Sequence, residues 1–448
     1  MNTPICDFVR KYASENALRL HMPGHKGVNL LGCENIDITE INGADSLYEA
    51  QGIIKESEDN ASALFGCATY YSTEGSSQCI RAMLYLATLF AKKNGRKPLV
   101  YAGRNAHKTF ISAAALIDFD IEWLYPQENE AYLSCTINPA DLDKKIREAE
   151  HKPVAVYLTS PDYLGNLADI QGVSQVCRKH DVLLIVDNAH GAYLNFLENS
   201  QHPVDLGADM CCSSAHKTLP VLTGGAYLHI SGKAPALFAE KAKDALMLFG
   251  STSPSYVILQ SLDMANKYMD SDYRENLKSH ISLIDKLKSD LTESGYTLTG
   301  TEPLKITICT KPYGYKGTDF ARILESHNII CEFCDPDFVV LMTTPEISAD
   351  DIGKLYQILI NIPTLSPIEE APPVFSKPQR AMPVREAVFS QSEVIHIQNS
   401  KGRILASAGV SCPPAVPLIV CGEVIDEATI KTFMYYGIDT CTVVKQNT

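Results

Sequence analysis

Several short clusters in this 448-residue chain carry side chains that can do chemistry together. Thr73-Glu74-Gly75-Ser76-Ser77 opens a stretch with helical spacing, and Arg104-Asn105-Ala106-His107-Lys108 follows a short apolar run. Asp187-Asn188-Ala189-His190-Gly191 ends the run VLLIVD, and Ser213-Ser214-Ala215-His216-Lys217-Thr218 follows a further apolar stretch. Small residues at a helix start leave N–H groups that bind phosphate. A strand-end Asp pairs with a pyridinium nitrogen, a Lys forms a Schiff base with an aldehyde, and a His stacks on a heteroaromatic ring. Phosphate, pyridine nitrogen and aldehyde are the three handles of pyridoxal 5′-phosphate (PLP). A phosphate loop, then an Asp, then a Lys on successive strand ends is the order this cofactor needs. Taken singly, each cluster reads as ordinary structure: a turn or capping Asp, a Gly-Ser-Ser cap, a solvated Lys. Only the combination points to PLP.

Those clusters need a scaffold that presents strand ends. Ser76–Lys93 reads as a helix, with Ser residues to cap it and Asn94-Gly95 to end it. Pro98–Ala102, Pro153–Thr159 and Val182–Asp187 are continuous apolar runs, as expected of strands buried on both faces. Helical stretches near Asn138–Glu150 and Ile170–His180 lie between them. This alternation predicts an α/β fold with a mostly parallel sheet, whose ligand sits at the carboxyl ends of the strands. A long helix follows, with Leu277, Ile281, Ile284, Leu287 and Leu291 on one face and Gly295 as its stop. Residues 304–362 read as a small α+β unit, with elements at Leu304–Thr310, Asp319–His327, Ile329–Phe333, Phe338–Thr343 and Asp350–Ile360. Six prolines between 363 and 383 mark a linker, and 384–448 read as a unit of short strands. The first forty residues read as irregular. The expected division is therefore 1–40 N-terminal segment, 41–295 large cofactor domain, 296–362 small domain, 363–383 linker and 384–448 C-terminal module.

Composition narrows the partners. Acids outnumber bases 53 to 39, giving a formal charge of −14. Such a surface repels phosphate backbones and anionic lipid, so neither nucleic acid nor membrane is expected, and a cationic substrate is favoured. The fourteen cysteines are scattered mostly singly through apolar segments. Cys331-x-x-Cys334 has no second pair to complete a zinc site, so no metal is expected and the thiols read as buried hydrophobes of a reducing compartment. The N-terminus has no uninterrupted apolar core of a signal peptide, and no run is long enough to span a bilayer. A cytoplasmic protein is the expectation.

The motifs His21-Met22-Pro23-Gly24-His25-Lys26-Gly27, Arg104-Asn105-Ala106-His107-Lys108, Asp187-x-Ala189-His190-Gly191-Ala192 and Ser214-x-His216-Lys217 together resemble the Orn/Lys/Arg decarboxylase family. Thr159-Ser160-Pro161-Asp162-Tyr163 with Gly165, Thr252-Ser253-Pro254-Ser255-Tyr256, and Pro413-Pro414-Ala415-Val416-Pro417-Leu418 with Gly422-Glu423 extend the likeness over nearly the whole chain. The chain is similar to a short member, without the N-terminal wing domain of the long bacterial enzymes.

The resemblance implies a fold-type-I PLP (aspartate-aminotransferase-like) large domain, a small α+β domain and a decarboxylase-type C-terminal module. It implies that Lys217 holds PLP as a Schiff base, that Asp187 keeps the ring nitrogen protonated, and that His107 stacks on the ring. Gly75, Ser76, Ser77, Ser214 and His216 then surround the phosphate, with Ala189 and His190 beside the cofactor. The family is built from dimers with interfacial sites, where Thr252 reaches a neighbouring phosphate. Lys217 or His216 returns a proton to the substrate's α-carbon. The implied reaction is decarboxylation of lysine, arginine or ornithine to a di- or polyamine and CO₂. Asn188 stands where many relatives have Glu, Ala215 where they have Thr or Ser, and Glu74 where Asn is common. Asp45, Glu74 and Glu423 are candidates for the carboxylate that meets a cationic side chain. An aminotransferase or aldolase-type lyase of the same fold is the nearest alternative. Against an aminotransferase stands the absence of any Arg between Arg322 and Arg380 to hold a retained carboxylate. A catalytically silent binding or regulatory protein is the alternative from another class.

Overall fold

The structure is a computed structural model that describes residues 1–127, 130–407, 411–412 and 416–446, with backbone alone at 411–412. Along the chain the elements begin α1 (Pro4–Ser14), α2 (Ile53–Phe65), β1 (Ala68–Ser72), α3 (Ser76–Lys93), β2 (Leu99–Gly103), α4 (Lys108–Ile117) and β3 (Asp120–Leu124). They continue α5 (Pro139–Glu148), β4 (Ala155–Thr159), α6 (Ile170–Lys179), β5 (Leu183–Asp187), β6 (Met210–Ser213), α7 (Ala215–Thr218) and β7 (Ala226–Ile230). Next come α8 (Ala236–Met247), α9 (Tyr256–Met269), α10 (Tyr273–Glu293), β8 (Thr297–Thr299), β9 (Lys305–Cys309), α11 (Gly317–Ser326), β10 (Phe333–Cys334), β11 (Phe338–Met342) and α12 (Ala349–Asn361). The chain closes with α13 (Val384–Phe389), β12 (Ser392–His396), β13 (Ser411–Cys412), β14 (Val416–Pro417), α14 (Glu427–Tyr435) and β15 (Thr440–Val444).

Two compact units share these elements. One is Met1–Pro98, Val154–Ser160 and Ile170–Lys278; the other is Leu99–Pro153, Pro161–Asp169 and Ser279–Thr448. In the first, the strands run in the order β1-β7-β6-β5-β4. Strands β4, β5 and β6 are parallel, with Thr159 opposite Asp187 and Asp187 opposite Cys212. Only β7 runs the other way, antiparallel to both β6 and β1. The apolar runs expected to be fully buried strands are so: every residue of β5 is buried, and four of five in β4. Because β1, β5 and β6 point the same way, the loops that follow them emerge at one edge of the sheet.

The second unit contains the parallel pair β2 and β3, a four-stranded antiparallel sheet in the order β10-β11-β9-β8, and the pairs β12–β15 and β13–β14. The four-stranded sheet and α10, α11 and α12 enclose a core that includes Ile284, Leu287, Leu291, Ile306, Phe320 and Leu359. Gly295, with φ +92°, closes α10 as its spacing predicts. Residues 363–379 contain no helix or strand.

Three local readings differ from the structure. The first forty residues are not all irregular, since α1 occupies Pro4–Ser14 and buries Ile5, Cys6 and Val9. A helix this short gets its stability from docking rather than propensity; the Cys6 N–H donates to Asp263 Oδ2 on α9 at 3.0 Å. The last segment is not strands alone, because α14 buries Phe433 behind an Asp426 cap that accepts the Thr429 N–H at 2.7 Å. Of Ile329–Phe333, only Phe333 belongs to a strand, at the edge of its sheet. The motif residues Pro413, Pro414 and Ala415 lie outside the described residues.

Candidate active site

The first unit brings most of the singled-out residues to one sheet edge. Gly75 ends the turn after β1 with φ +70°, a conformation that favours glycine, and an added Cβ there would meet nothing within 4 Å. Its N–H donates to Gly224 O at 2.8 Å. Gly224 allows that approach, since a Cβ on it would stand 2.9 Å from Thr73 O. The expected serine caps are absent. Ser76 and Ser77 are the first two residues of α3, the N-cap is Gly75, and no side chain caps the helix. The start of this 18-residue helix therefore combines the positive end of its dipole with two hydroxyls, a combination suited to an anion, although the Gln78 N–H is already given to Gly75 O at 3.2 Å. Ser214, after β6, donates its hydroxyl to Ser76 Oγ at 2.9 Å, joining the two loops.

Asp187 closes β5 and is 2% exposed. Its Oδ1 accepts the Ala189 N–H at 3.2 Å and the Cys212 thiol at 3.6 Å, and its Oδ2 accepts the Tyr157 hydroxyl at 3.2 Å. Burial pushes the carboxyl above the usual carboxylate range, and the Lys217 charge pulls it back down. A carboxylate buried at this cost suits a cationic partner such as a protonated ring nitrogen. Lys217 follows in α7, with Nζ 3.0 Å from His190 Nε2. His216 Nδ1 lies 2.9 Å from Gly225 O and so carries the proton that bonds it. Thr252 stands on the exposed segment between α8 and α9. His107 belongs to the second unit, where it caps α4: its Nδ1 accepts the Thr109 N–H at 3.1 Å and lies 2.8 Å from Thr109 Oγ1.

Beneath these loops runs a buried polar string that sequence reading does not find. Asn188 Nδ2 donates to Gly191 O and to Ser213 Oγ, both at 3.0 Å. Ser213 Oγ lies 3.2 Å from His229 Nε2, and His229 Nδ1 lies 3.0 Å from Thr69 Oγ1. The Thr69 hydroxyl donates to Cys67 O at 3.2 Å. One proton placement satisfies every link: Ser213 O–H donates to Nε2 and Nδ1–H donates to Thr69. Burial holds His229 well below the ordinary histidine range, which keeps it neutral. Tyr157, Cys212 and His229 escape sequence reading because each meets its partner on a neighbouring strand whose register the sequence does not show.

Two of the three candidate carboxylates for a cationic substrate are occupied. Asp45 accepts backbone N–H groups of Ser46, Gln51, Gly52 and Ile54 at 2.8–3.1 Å, and so caps α2. Glu423 is buried against Arg104, 3.3 Å from Nη2, and accepts the Val420 N–H at 2.8 Å. Arg104 also donates to Pro417 O at 2.9 Å and lies over the Trp123 and Phe375 rings. Glu74 is exposed. Asp162 is likewise a brace, accepting the Ser134 hydroxyl and the Asn166 N–H at 2.8 and 2.9 Å.

Comparison with known proteins follows the same lines. A family model described as Orn/Lys/Arg decarboxylase, major domain, matches residues 3–299, and that of the family's C-terminal domain matches residues 367–440. An arginine decarboxylase of Bacillus subtilis (strain 168) is 27% identical, over 98% of this chain and 94% of its own length. One of Halalkalibacterium halodurans is 26% identical, over 96% of this chain and 92% of its own. Among solved structures, lysine decarboxylase A from Pseudomonas aeruginosa superposes with a TM-score of 0.80 at 19% identity, covering 99% of this chain and 80% of its own. That likeness is one of fold. Among the described residues no helix is long and apolar enough to cross a membrane.

Proposed function

The chain belongs to the Orn/Lys/Arg decarboxylase family, and on that premise we propose that it decarboxylates arginine, lysine or ornithine, releasing CO₂ and the corresponding di- or polyamine. It is an amino-acid decarboxylase of fold type I, with pyridoxal 5′-phosphate as its cofactor. The observation that carries the residue roles is Asp187: a carboxylate sealed at a strand end, held by three donors, with Lys217 as the charge that offsets its burial. Such a group fits the protonated ring nitrogen, and the glycine-serine start of α3 fits the phosphate.

When bound, PLP supplies the electron sink for the bond to the departing carboxylate. The chain's own residues do the rest. Lys217 holds the cofactor and exchanges with the substrate amine, while Asp187 keeps the proton on the ring nitrogen. Gly75, Ser76, Ser77 and Ser214 bind the phosphate, with His216 beside them, and His107 stacks on the ring. Ala189 shapes the loop that aims Asp187, its N–H being one of that carboxylate's three donors. Lys217 or His216 returns a proton to the α-carbon. Thr252, on its exposed segment, is assigned to the phosphate of a neighbouring subunit.

A homodimer is part of this reading. Leu18, Leu20, Met22, Val28, Leu30 and Leu31 are each at least 60% exposed around the His21–Gly27 motif, an apolar patch that supports a second copy as its cover. Half-buried and buried free cysteines support a reducing, cytoplasmic setting. The test is CO₂ release from arginine, lysine and ornithine in parallel, with Lys217→Ala as control. Release from at least one, lost in the variant together with the visible Schiff-base absorption, supports the reading; an active Lys217→Ala protein overturns it.

A further inference from the structure

His190 is 3% exposed, and its Nε2 lies 3.0 Å from Lys217 Nζ, within reach for direct proton transfer. The geometry around it is tightly set. The turn carrying His190 is closed by the Gly191 N–H to Asn188 O at 2.9 Å and by Asn188 Nδ2 to Gly191 O at 3.0 Å. A Cβ at Gly191 would stand 2.0 Å from Asn188 Oδ1, so the turn has no slack on that side. Asn188 is in turn anchored on Ser213, the residue that ends β6 just ahead of the Lys217 loop. The turn that carries the imidazole and the loop that carries the ammonium are thus tied together across two adjacent strands.

An ammonium has no lone pair and cannot attack a carbonyl carbon. A base must first take a proton from Nζ. His216, the neighbouring imidazole, turns Nδ1 to Gly225 O. We propose that His190 Nε2 is the base that takes the proton from Lys217 Nζ and returns it during every exchange of Lys217 with an aldehyde or an imine. The proposal rests on Lys217 being the cofactor lysine. In the forward direction Nζ–H passes to Nε2, giving a neutral amine and an imidazolium. The amine's lone pair forms the C–N bond, the carbonyl oxygen receives the second Nζ proton, and the imidazolium protonates that hydroxyl as it leaves as water. One ammonium and one aldehyde give one protonated C=N and one water, and His190 ends neutral. No electrons are gained or lost. His190 is then a catalytic residue, touching a reacting atom.

The test is cofactor uptake by apoprotein, a readout independent of turnover. Stopped-flow absorbance follows PLP binding across pH, and borohydride trapping with mass spectrometry locates the adduct. In the wild type the uptake rate should fall toward acid pH, where an imidazole that has taken up a proton can no longer act as a base. In His190→Gln it should be about 10²-fold slower near neutrality, the scale of general-base assistance. That deficit should shrink to under tenfold as the pH approaches the lysine range. A wild-type profile with no histidine-like inflection overturns the proposal without reference to any variant. Equal rates in wild type and His190→Gln, with the adduct on Lys217, also overturn it and leave the cofactor lysine standing. Absence of an adduct at Lys217 in the wild type overturns the cofactor-lysine reading itself.

Discussion

Ser213 Oγ and His229 Nε2 lie 3.2 Å apart, joining β6 to β7 beneath the loops that carry Asp187 and Lys217. Both residues are fully buried, so neither polar atom has water as an alternative partner. Ser213→Ala removes the acceptor for Asn188 Nδ2 and the donor for His229 together. The expected loss is about 1–3 kcal/mol of unfolding free energy in urea. An unchanged midpoint would mean that the string contributes nothing.

His202 adds a pH dependence of definite sign. Burial pushes its pKa down to about 4, so the folded state binds a proton less readily than the unfolded chain. The stability this group permits is complete above its unfolded pKa of about 6.5 and is lost as the pH falls toward 4, by about 3 kcal/mol in all. His229, depressed for the same reason, acts in the same direction. The difference in stability between wild type and His202→Gln should therefore shift against the wild type between about pH 7 and pH 5, measured by urea denaturation.

The second unit holds a group of opposite sign. Asp335 accepts the Asp337 and Phe338 N–H groups at 2.8 Å, yet burial pushes its pKa up to about 7. Its folded form binds protons more readily than the unfolded chain. This group therefore lowers stability progressively as the pH rises from about 4 to about 7, by up to about 4 kcal/mol. Asp335→Asn should relieve that loss at neutral pH and flatten the profile. A profile identical to the wild type would contradict the assignment.

Arg104 and Glu423 form an ion pair at 3.3 Å with side chains only 1% and 4% exposed. Truncating one partner strands the other charge, so Glu423→Ala should cost about 3–5 kcal/mol, read by chemical denaturation. Glu423→Gln retains an acceptor for the Val420 N–H and should cost less. Equal losses would assign the effect to packing instead of charge.

Much of the scaffold is legible in the sequence. The span Ser76–Lys93 coincides with α3, because Gly75 and Asn94-Gly95 punctuate it at both ends. The run VLLIVD gives β5, because a strand covered on both faces has no polar face to show. What stays hidden is pairing between non-consecutive strands. The order β1-β7-β6-β5 places Thr69, His229, Ser213 and Asn188 in one line, although 160 residues separate the first two. Side-chain type is equally silent about use. Asp45 and Glu423 carry the same charge as a substrate-binding acid, but one caps a helix and the other neutralises an arginine.

The Arg104–Glu423 contact joins residues 319 positions apart, and this bears on how the protein is made. At about 5–20 residues per second, Arg104 leaves the ribosome on the order of 15–60 s before its counter-charge is synthesised. Every residue of the unit containing Asp187 and Lys217, by contrast, has been polymerised once Lys278 is reached. Synthesis therefore allows the unit carrying these residues to mature first, while the other waits for the last part of the chain. A nascent chain stalled between Lys278 and Glu423 would hold a guanidinium that has nowhere to be buried, which marks that interval as the period of greatest exposure to misassembly and proteolysis.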